Sequence, residues 1–317
     1  MIETDFDRAR TFRGAYTALA TPFTSDGESI EIELIPMLLR RQAAGAVAGV
    51  VAAGTTGESP TLSEGELRVL LDACVVAAKP LGLKVIAGAG SNSTAHAVHL
   101  HRLAAAIGAD ASLQVVPYYN RPSQAGLLRH FSTIADSADL PIVLYNIPGR
   151  CGAGLEPATV ATLAAHPNIV AIKEASGSCD AVSEIRRRCD LAVLAGDDTL
   201  TLPMMAVGAV GVVSVVSNLV PERVAELVAA VLAGDLREAQ RLHAALFPLA
   251  KGLLSLEVNP VPLKAALAAL GLDSGVVRAP LAEAAPETVR QIESLLRAGG
   301  LRERQTERAT GREVVSA

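Results

Sequence analysis

Eight short apolar runs, each followed by a helix-like pattern, recur along the first 232 residues of this chain, and that rhythm restricts the fold more than any other feature. The runs lie near residues 15–20, 47–53, 84–87, 111–116, 142–145, 169–173, 192–195 and 211–216. They are almost unbroken in Val, Ile, Leu and Ala, without in/out alternation, as strands buried on both faces are. Apolar strands alternating with helices make βαβ units around a parallel sheet. Eight such pairs in about 230 residues match the size of a closed barrel. The predicted fold class is therefore α/β, a (β/α)8 TIM barrel over residues 14–232.

Helix punctuation agrees with that reading. Ser63 followed by Glu66 reads as a capping box opening a helix that runs to about Lys79, and Ser93, Pro157 and Pro221 mark further helix starts. Beyond Leu232 the strand signal stops. Residues 235–256, 260–272 and 286–299 read as three amphipathic helices, so a helical C-terminal extension is predicted over 233–300. The charged segment 301–317 has little apolar periodicity and reads as a disordered tail.

Composition removes several classes of function. With half its residues hydrophobic and 19% charged, the chain has the apolar content of a folded body. Lys and Arg number 28 against 33 Asp and Glu, for a net charge of −5, and no basic block stands outside the tail, so no nucleic-acid partner is expected. No apolar run reaches about 18 residues, and the charged start MIETDFDRARTFR lacks the apolar stretch of a signal peptide. No membrane partner is expected, and a cytoplasmic location is. Cys74, Cys151, Cys179 and Cys189 form no CxxC pair and have no His at metal-ligand spacing, so free thiols and no metal are predicted.

A barrel enzyme keeps its chemistry where strands end. Here those ends read Thr21-Pro22-Phe23, Gly54-Thr55-Thr56-Gly57-Glu58-Ser59, Gly88-Ala89-Gly90-Ser91-Asn92, Pro117-Tyr118-Tyr119-Asn120, Tyr145 to Arg150, Lys173 to Gly177, Gly196-Asp197-Asp198 and Ser217-Asn218. Three of the four tyrosines and one of the five lysines fall on this face. Lys173 ends an otherwise apolar strand. Burial there favours the neutral amine, which can attack a ketone and form a Schiff base. A strand-end lysine can equally snorkel to water. Tyr145, at the end of the adjacent strand, is able to carry protons during imine chemistry, or else to pack as a rim aromatic.

The GTTGES turn offers glycines, two threonine hydroxyls and backbone donors suited to a carboxylate, although an ordinary βα turn has the same composition. It lacks the Gly-Lys-Ser/Thr ending of a phosphate loop, and GAGSNS lacks the third glycine of a dinucleotide fingerprint. Asp197 and Asp198 have no His or third carboxylate near them, which favours a capping or supporting role over metal binding. His96, His99 and His101 share one helix, on which they are expected to point in different directions as surface or packing residues.

Taken in order, GTTGES (54–59), PYYNRPSQ (117–124), YNIPGR (145–150), IKEASG (172–177) and AGDD (195–198) resemble the pyruvate-dependent class I aldolase family that includes dihydrodipicolinate synthase and N-acetylneuraminate lyase. The resemblance covers about residues 14–295. It implies that Lys173 forms a Schiff base with pyruvate, that Tyr145 donates and accepts protons, and that Thr55 and Tyr119 complete a relay, Tyr119 reaching in from a neighbouring subunit. It further implies that Thr56 binds the pyruvate carboxylate, that Val213 and Gly196 line the substrate site, and that Arg150 holds the carboxylate of L-aspartate 4-semialdehyde. Arg150 favours the synthase branch, on the route to diaminopimelate and lysine, over a lyase acting on a sugar acid or related 2-oxo acid. A non-catalytic paralogue should have lost Lys173 or the relay, and both are present. No cofactor is implied, and a homo-oligomer, dimer or tetramer, is. Cys151 departs from the threonine usual after the arginine. Glu64, Leu67 and His96 replace the residues on which lysine feedback partly relies, so inhibition by lysine is not expected.

Overall fold

The computed structural model describes residues 12–301. Eight parallel strands pair in sequence order: β1 (Gly14–Ala18), β2 (Gly49–Ala52), β3 (Lys84–Gly88), β4 (Ala111–Val115), β5 (Ile142–Asn146), β6 (Ile169–Glu174), β7 (Ala192–Ala195) and β8 (Gly211–Ser214). The last pairs back onto the first, with Tyr16 beside Val213, so the barrel is closed and exposes no sheet edge. Each strand bound lies within two residues of the apolar run that predicts it. The predicted cap at Ser63 is present in full: Ser63 Oγ accepts from the Glu66 N–H, and the Glu66 carboxylate accepts from the Ser63 N–H. Ser93 caps the helix Thr94–Ile107, while Pro157 and Pro221 each open a helix.

Close backbone approach at the strand ends explains part of the glycine pattern. A Cβ on Gly88 would sit 1.9 Å from the Ala53 carbonyl oxygen, so only glycine allows β3 to end against the turn that follows β2. β8 is shorter than its apolar run, which continues to Val216. The Asp198 carboxylate takes the N–H groups of Val215 and Val216, and the chain turns away from the ladder there.

Three further helices follow the barrel, Leu236–Ser255, Val261–Ala269 and Pro286–Ala298. The first buries Ala239, Leu242, Leu246, Leu249, Ala250 and Leu253, a helical stripe that packs against the helix Pro221–Leu232. Among the described residues no helix is long and apolar enough to cross a membrane. The predicted tail, from 302 onward, lies outside the described residues.

The extension is fastened to the barrel by a buried lysine. Lys264 is fully buried; its Nζ donates to the Thr21 carbonyl at 2.7 Å, lies 3.4 Å from Glu58 Oε1 and 3.7 Å from Asp273 Oδ2, and sits 4.2 Å from the centre of the Phe23 ring. Removal from water pulls the Lys264 ammonium below its ordinary value and pushes the Asp273 carboxyl above its own, with their attraction opposing both effects. Losing one partner of such a buried cluster costs roughly 3–5 kcal/mol, because the remaining charges stay buried without compensation. Glu58 also accepts from the Arg278 N–H, so the turn carrying Thr55 and Thr56 is held from the extension side.

Candidate active site

A one-residue irregularity between β5 and β6 brings the two principal candidates together. Ile142 pairs with Ile169, but Val143 pairs with Ala171, so Tyr145 stands opposite Lys173 and not opposite Ile172. Side chains alternate along a strand, and without that offset the two would project to opposite faces. Both are buried, and Lys173 Nζ lies 4.1 Å from the centre of the Tyr145 ring. The amine therefore sits inside the barrel mouth and does not snorkel to water. Next to it, Glu174 is fully buried and turned into a different network, accepting from Asn146 Nδ2 and from the Ser176 N–H.

The GTTGES turn forms the facing wall. Ala53 and Glu58, at its two ends, both adopt left-handed backbone conformations, with φ of 53° and 54°. Thr21 Oγ donates to the Gly57 carbonyl at 2.7 Å, and Lys264 holds Glu58. Thr55 lines a cavity of about 440 Å³ together with Tyr118, Tyr145, Arg150, Cys151, Glu64 and His96, a space that suits small molecules. Thr56 is buried beside it, and its Oγ accepts from Asn259 Nδ2 at 3.0 Å.

Arg150 belongs to a short helix, Pro148–Cys151, at the cavity wall. One of its five N–H donors goes to the Asn259 carbonyl at 3.3 Å, which leaves the others for an incoming carboxylate. Burial pushes the Cys151 thiol up to about 11, with Arg150 pulling the other way, so this side chain stays a neutral thiol near pH 7. Gly196 ends the β7 side of the mouth; a Cβ there would lie 2.5 Å from the Ala175 Cβ. Val213 is buried in β8.

Of the candidates, Thr55, Tyr145 and Arg150 line the cavity; Lys173 reaches it only through its contact with the Tyr145 ring, Thr56, Val213 and Gly196 are not among its lining residues, and Tyr119 is turned outward. Its residue is 92% exposed and its φ is +72°, whereas Tyr118 faces the cavity. Two histidines also differ from expectation. His96 and His99 share one face, with ring centres 6.2 Å apart, because positions three apart on a helix are neighbours; His99 Nε2 then meets Glu64 at 3.0 Å. His101 is buried and bonded to Ser112 Oγ. Asn259 was not legible as a site residue: in SLEVNPVPL it reads as a helix boundary, with nothing to connect it to a turn 203 positions earlier. Among the described residues no group of His, Cys, Asp and Glu could hold a metal ion.

Comparison with known proteins adds an independent line. A profile of the dihydrodipicolinate synthetase family matches residues 11–299. The chain belongs to that family. A relative from Endomicrobium trichonymphae named 4-hydroxy-tetrahydrodipicolinate synthase is 45% identical over 292 residues, covering 92% of this chain and 99% of its own length. The synthase structure from Methylacidiphilum fumariolicum SolV superposes with a TM-score of 0.88 at 47% identity, covering 91% of this chain and 96% of that one. The dihydrodipicolinate synthase structure from Aquifex aeolicus gives 0.90 at 42%, with 92% and 100% covered.

Within this family member, Asp198 supports the β8 side of the mouth, accepting from Ser214 Oγ and from the N–H groups of Val215 and Val216. Burial pushes its carboxyl up to about 6 from 3.8, against the opposing effect of those donors. The folded chain thus binds this proton more tightly than the unfolded chain does. The associated stability is fully present below pH 3.8 and is lost as pH rises through about 6, a difference of roughly 3 kcal/mol. Asp198→Asn mimics the protonated acid. Denaturant unfolding between pH 4 and 8 should show the wild type losing roughly 2 kcal/mol relative to that variant, most of the full difference; parallel stability curves would show that Asp198 does not titrate in this window.

Proposed function

We propose that this chain is a 4-hydroxy-tetrahydrodipicolinate synthase, condensing pyruvate with L-aspartate 4-semialdehyde. The observation that carries the reading is the buried amine of Lys173 against the Tyr145 ring, with Arg150 on the same cavity as Tyr145. In this reading Lys173 Nζ attacks the ketone carbon of pyruvate and water leaves to give an imine. Tyr145, with Thr55 and Tyr119, takes a proton from the methyl carbon, and the resulting enamine carbon attacks the aldehyde of the second substrate. The amino group of the condensed product then adds to the imine carbon, closes the ring and releases Lys173. Thr56 holds the pyruvate carboxylate, the Val213 backbone and Gly196 line the pyruvate site, and Arg150 holds the carboxylate of the aldehyde substrate. The chemistry is complete without a cofactor. Residues 14–232 act as the catalytic barrel and 233–300 as its helical support.

The same proposal includes a homodimer as the smallest active unit, paired or not into a tetramer. An aromatic residue that is 92% exposed, at φ +72°, is better suited to burial in a partner than to water. A cytoplasmic setting belongs to this reading too, consistent with four free cysteines.

Three experiments follow. Borohydride reduction with pyruvate should add one pyruvate-derived mass to the peptide containing Lys173. In Arg150→Ala that trapping should survive while the KM for aspartate semialdehyde rises roughly 10- to 100-fold, as loss of a hydrogen bond to a charged group implies. A label on another lysine, or equal loss of trapping and turnover in the variant, would contradict the assignment. Mixing inactive Tyr119→Phe and Lys173→Ala subunits under conditions of demonstrated exchange should restore activity, and a mixture that stays inactive would reject the shared site.

A further inference from the structure

Thr56 carries a hydroxyl with one proton and two lone pairs, and its surroundings use only part of that capacity. The residue is buried, its Oγ accepts from Asn259 Nδ2 at 3.0 Å, and among the described residues the hydroxyl proton goes to no acceptor. An amide nitrogen can only donate. As long as it occupies one Oγ lone pair, the hydroxyl cannot spend its proton on that neighbour, and the proton is left for a group that reaches Thr56 past Thr55, its neighbour on the cavity wall.

Asn259 stands between the helices Leu236–Ser255 and Val261–Ala269. Its other polar groups fit the same position. The backbone carbonyl accepts from Arg150 Nη2, and Oδ1 is buried with no hydrogen-bond partner. Five residues later, Lys264 anchors the same stretch to Thr21 and Glu58, so the amide is presented by a braced segment. Asn259 thus touches both groups read above as carboxylate anchors, one through its side chain and one through its backbone.

We propose that Asn259 is a positioning residue for the first substrate: its side-chain amide holds the Thr56 hydroxyl in the orientation that donates to the pyruvate carboxylate. This inference rests on the functional reading given above. It makes the helical extension part of substrate recognition and gives the two carboxylate anchors one shared support. Aspartate at this position would keep the shape but reverse the hydrogen bond. A carboxylate has no proton to give, so it would take the Thr56 proton for itself and would place a negative charge beside the substrate carboxylate, at an oxygen position that has no donor to compensate it.

The test measures half-saturation of borohydride trapping by pyruvate, together with kcat and the KM for aspartate semialdehyde, in the full chain. Asn259→Ala should raise pyruvate half-saturation about 5- to 10-fold, the loss expected for one ordinary hydrogen bond. Asn259→Asp, although closer in shape, should raise it further, by more than tenfold, with the KM for the aldehyde changed less than threefold in both. In a Thr56→Ala background, adding Asn259→Ala should change pyruvate half-saturation by less than twofold. A purely structural role predicts the opposite order, aspartate being the milder change, and an equal effect in both backgrounds; either result overturns the proposal. Should Asn259→Ala fail to fold, by thermal unfolding, Asn259→Asp alone decides, since wild-type-like pyruvate affinity in that variant excludes the proposed orientation. If the wild type itself traps no pyruvate on Lys173, the functional reading fails. If it does and the variants saturate as the wild type does, only the role of Asn259 fails.

Discussion

The register of β5 against β6 is the constraint on which the site depends. In a parallel sheet, paired residues project to the same face, and one residue of slip exchanges the two faces. Here the pairing moves from Ile142–Ile169 to Val143–Ala171, and that single step carries Tyr145 alongside Lys173. Barrel closure then does the rest. With β8 bonded to β1 and helices outside, the strand ends hold the buried amine against a phenol ring whose residue lines a cavity that admits small molecules. The proposed chemistry needs both conditions: an amine kept from bulk water, and a proton carrier beside it.

A second dependence runs from the far end of the chain. The turn bearing Thr55 and Thr56 includes two non-glycine residues in left-handed conformations, Ala53 and Glu58, which persist where the surroundings over-determine them. Those surroundings are Thr21 on the carbonyl of Gly57, Lys264 on Glu58, Arg278 on the other Glu58 oxygen and Asn259 on Thr56. Three of the four come from beyond residue 255. The extension is therefore better described as a buttress for the turn bearing Thr55 and Thr56 than as an appendage to a complete barrel. This also explains why a fully buried lysine is tolerated there: its two carboxylates, one carbonyl and one aromatic face compensate it within a single cluster.

Much of this was legible in the sequence because the relevant signals are local. Continuous apolar runs between capped helices are enough to place eight strands within two residues, and a rare lysine at the end of one of them is conspicuous by composition alone. Signals that depend on long-range geometry were not legible. The offset between β5 and β6 leaves no mark in either strand. Asn259 and Lys264 look like ordinary members of a helical region, since the partners that tie them to the barrel, Thr56, Thr21 and Glu58, lie more than 200 positions away. His96 and His99 depart from the expected divergence for a simpler reason: a spacing of three puts two rings on one helix face, whereas His101, five and two positions on, turns inward. The outward stance of Tyr119 agrees with the cross-subunit role that the resemblance implies, but the left-handed backbone that produces it, seldom adopted by tyrosine, is not announced by PYYN.

The central claim is that Lys173 and Tyr145 act as one reacting pair with divided labour, the first as nucleophile and the second as proton carrier. Exchange of the pyruvate methyl protons with deuterated water, followed by proton NMR in the absence of any aldehyde, isolates that pair from the second substrate and from ring closure. The wild type should catalyse the exchange and Lys173→Ala should not. Tyr145→Phe should still form the imine yet exchange roughly 10²- to 10⁴-fold more slowly, the usual contribution of a positioned acid–base group. Exchange that persists in Lys173→Ala, or that runs at the wild-type rate in Tyr145→Phe, would contradict the account.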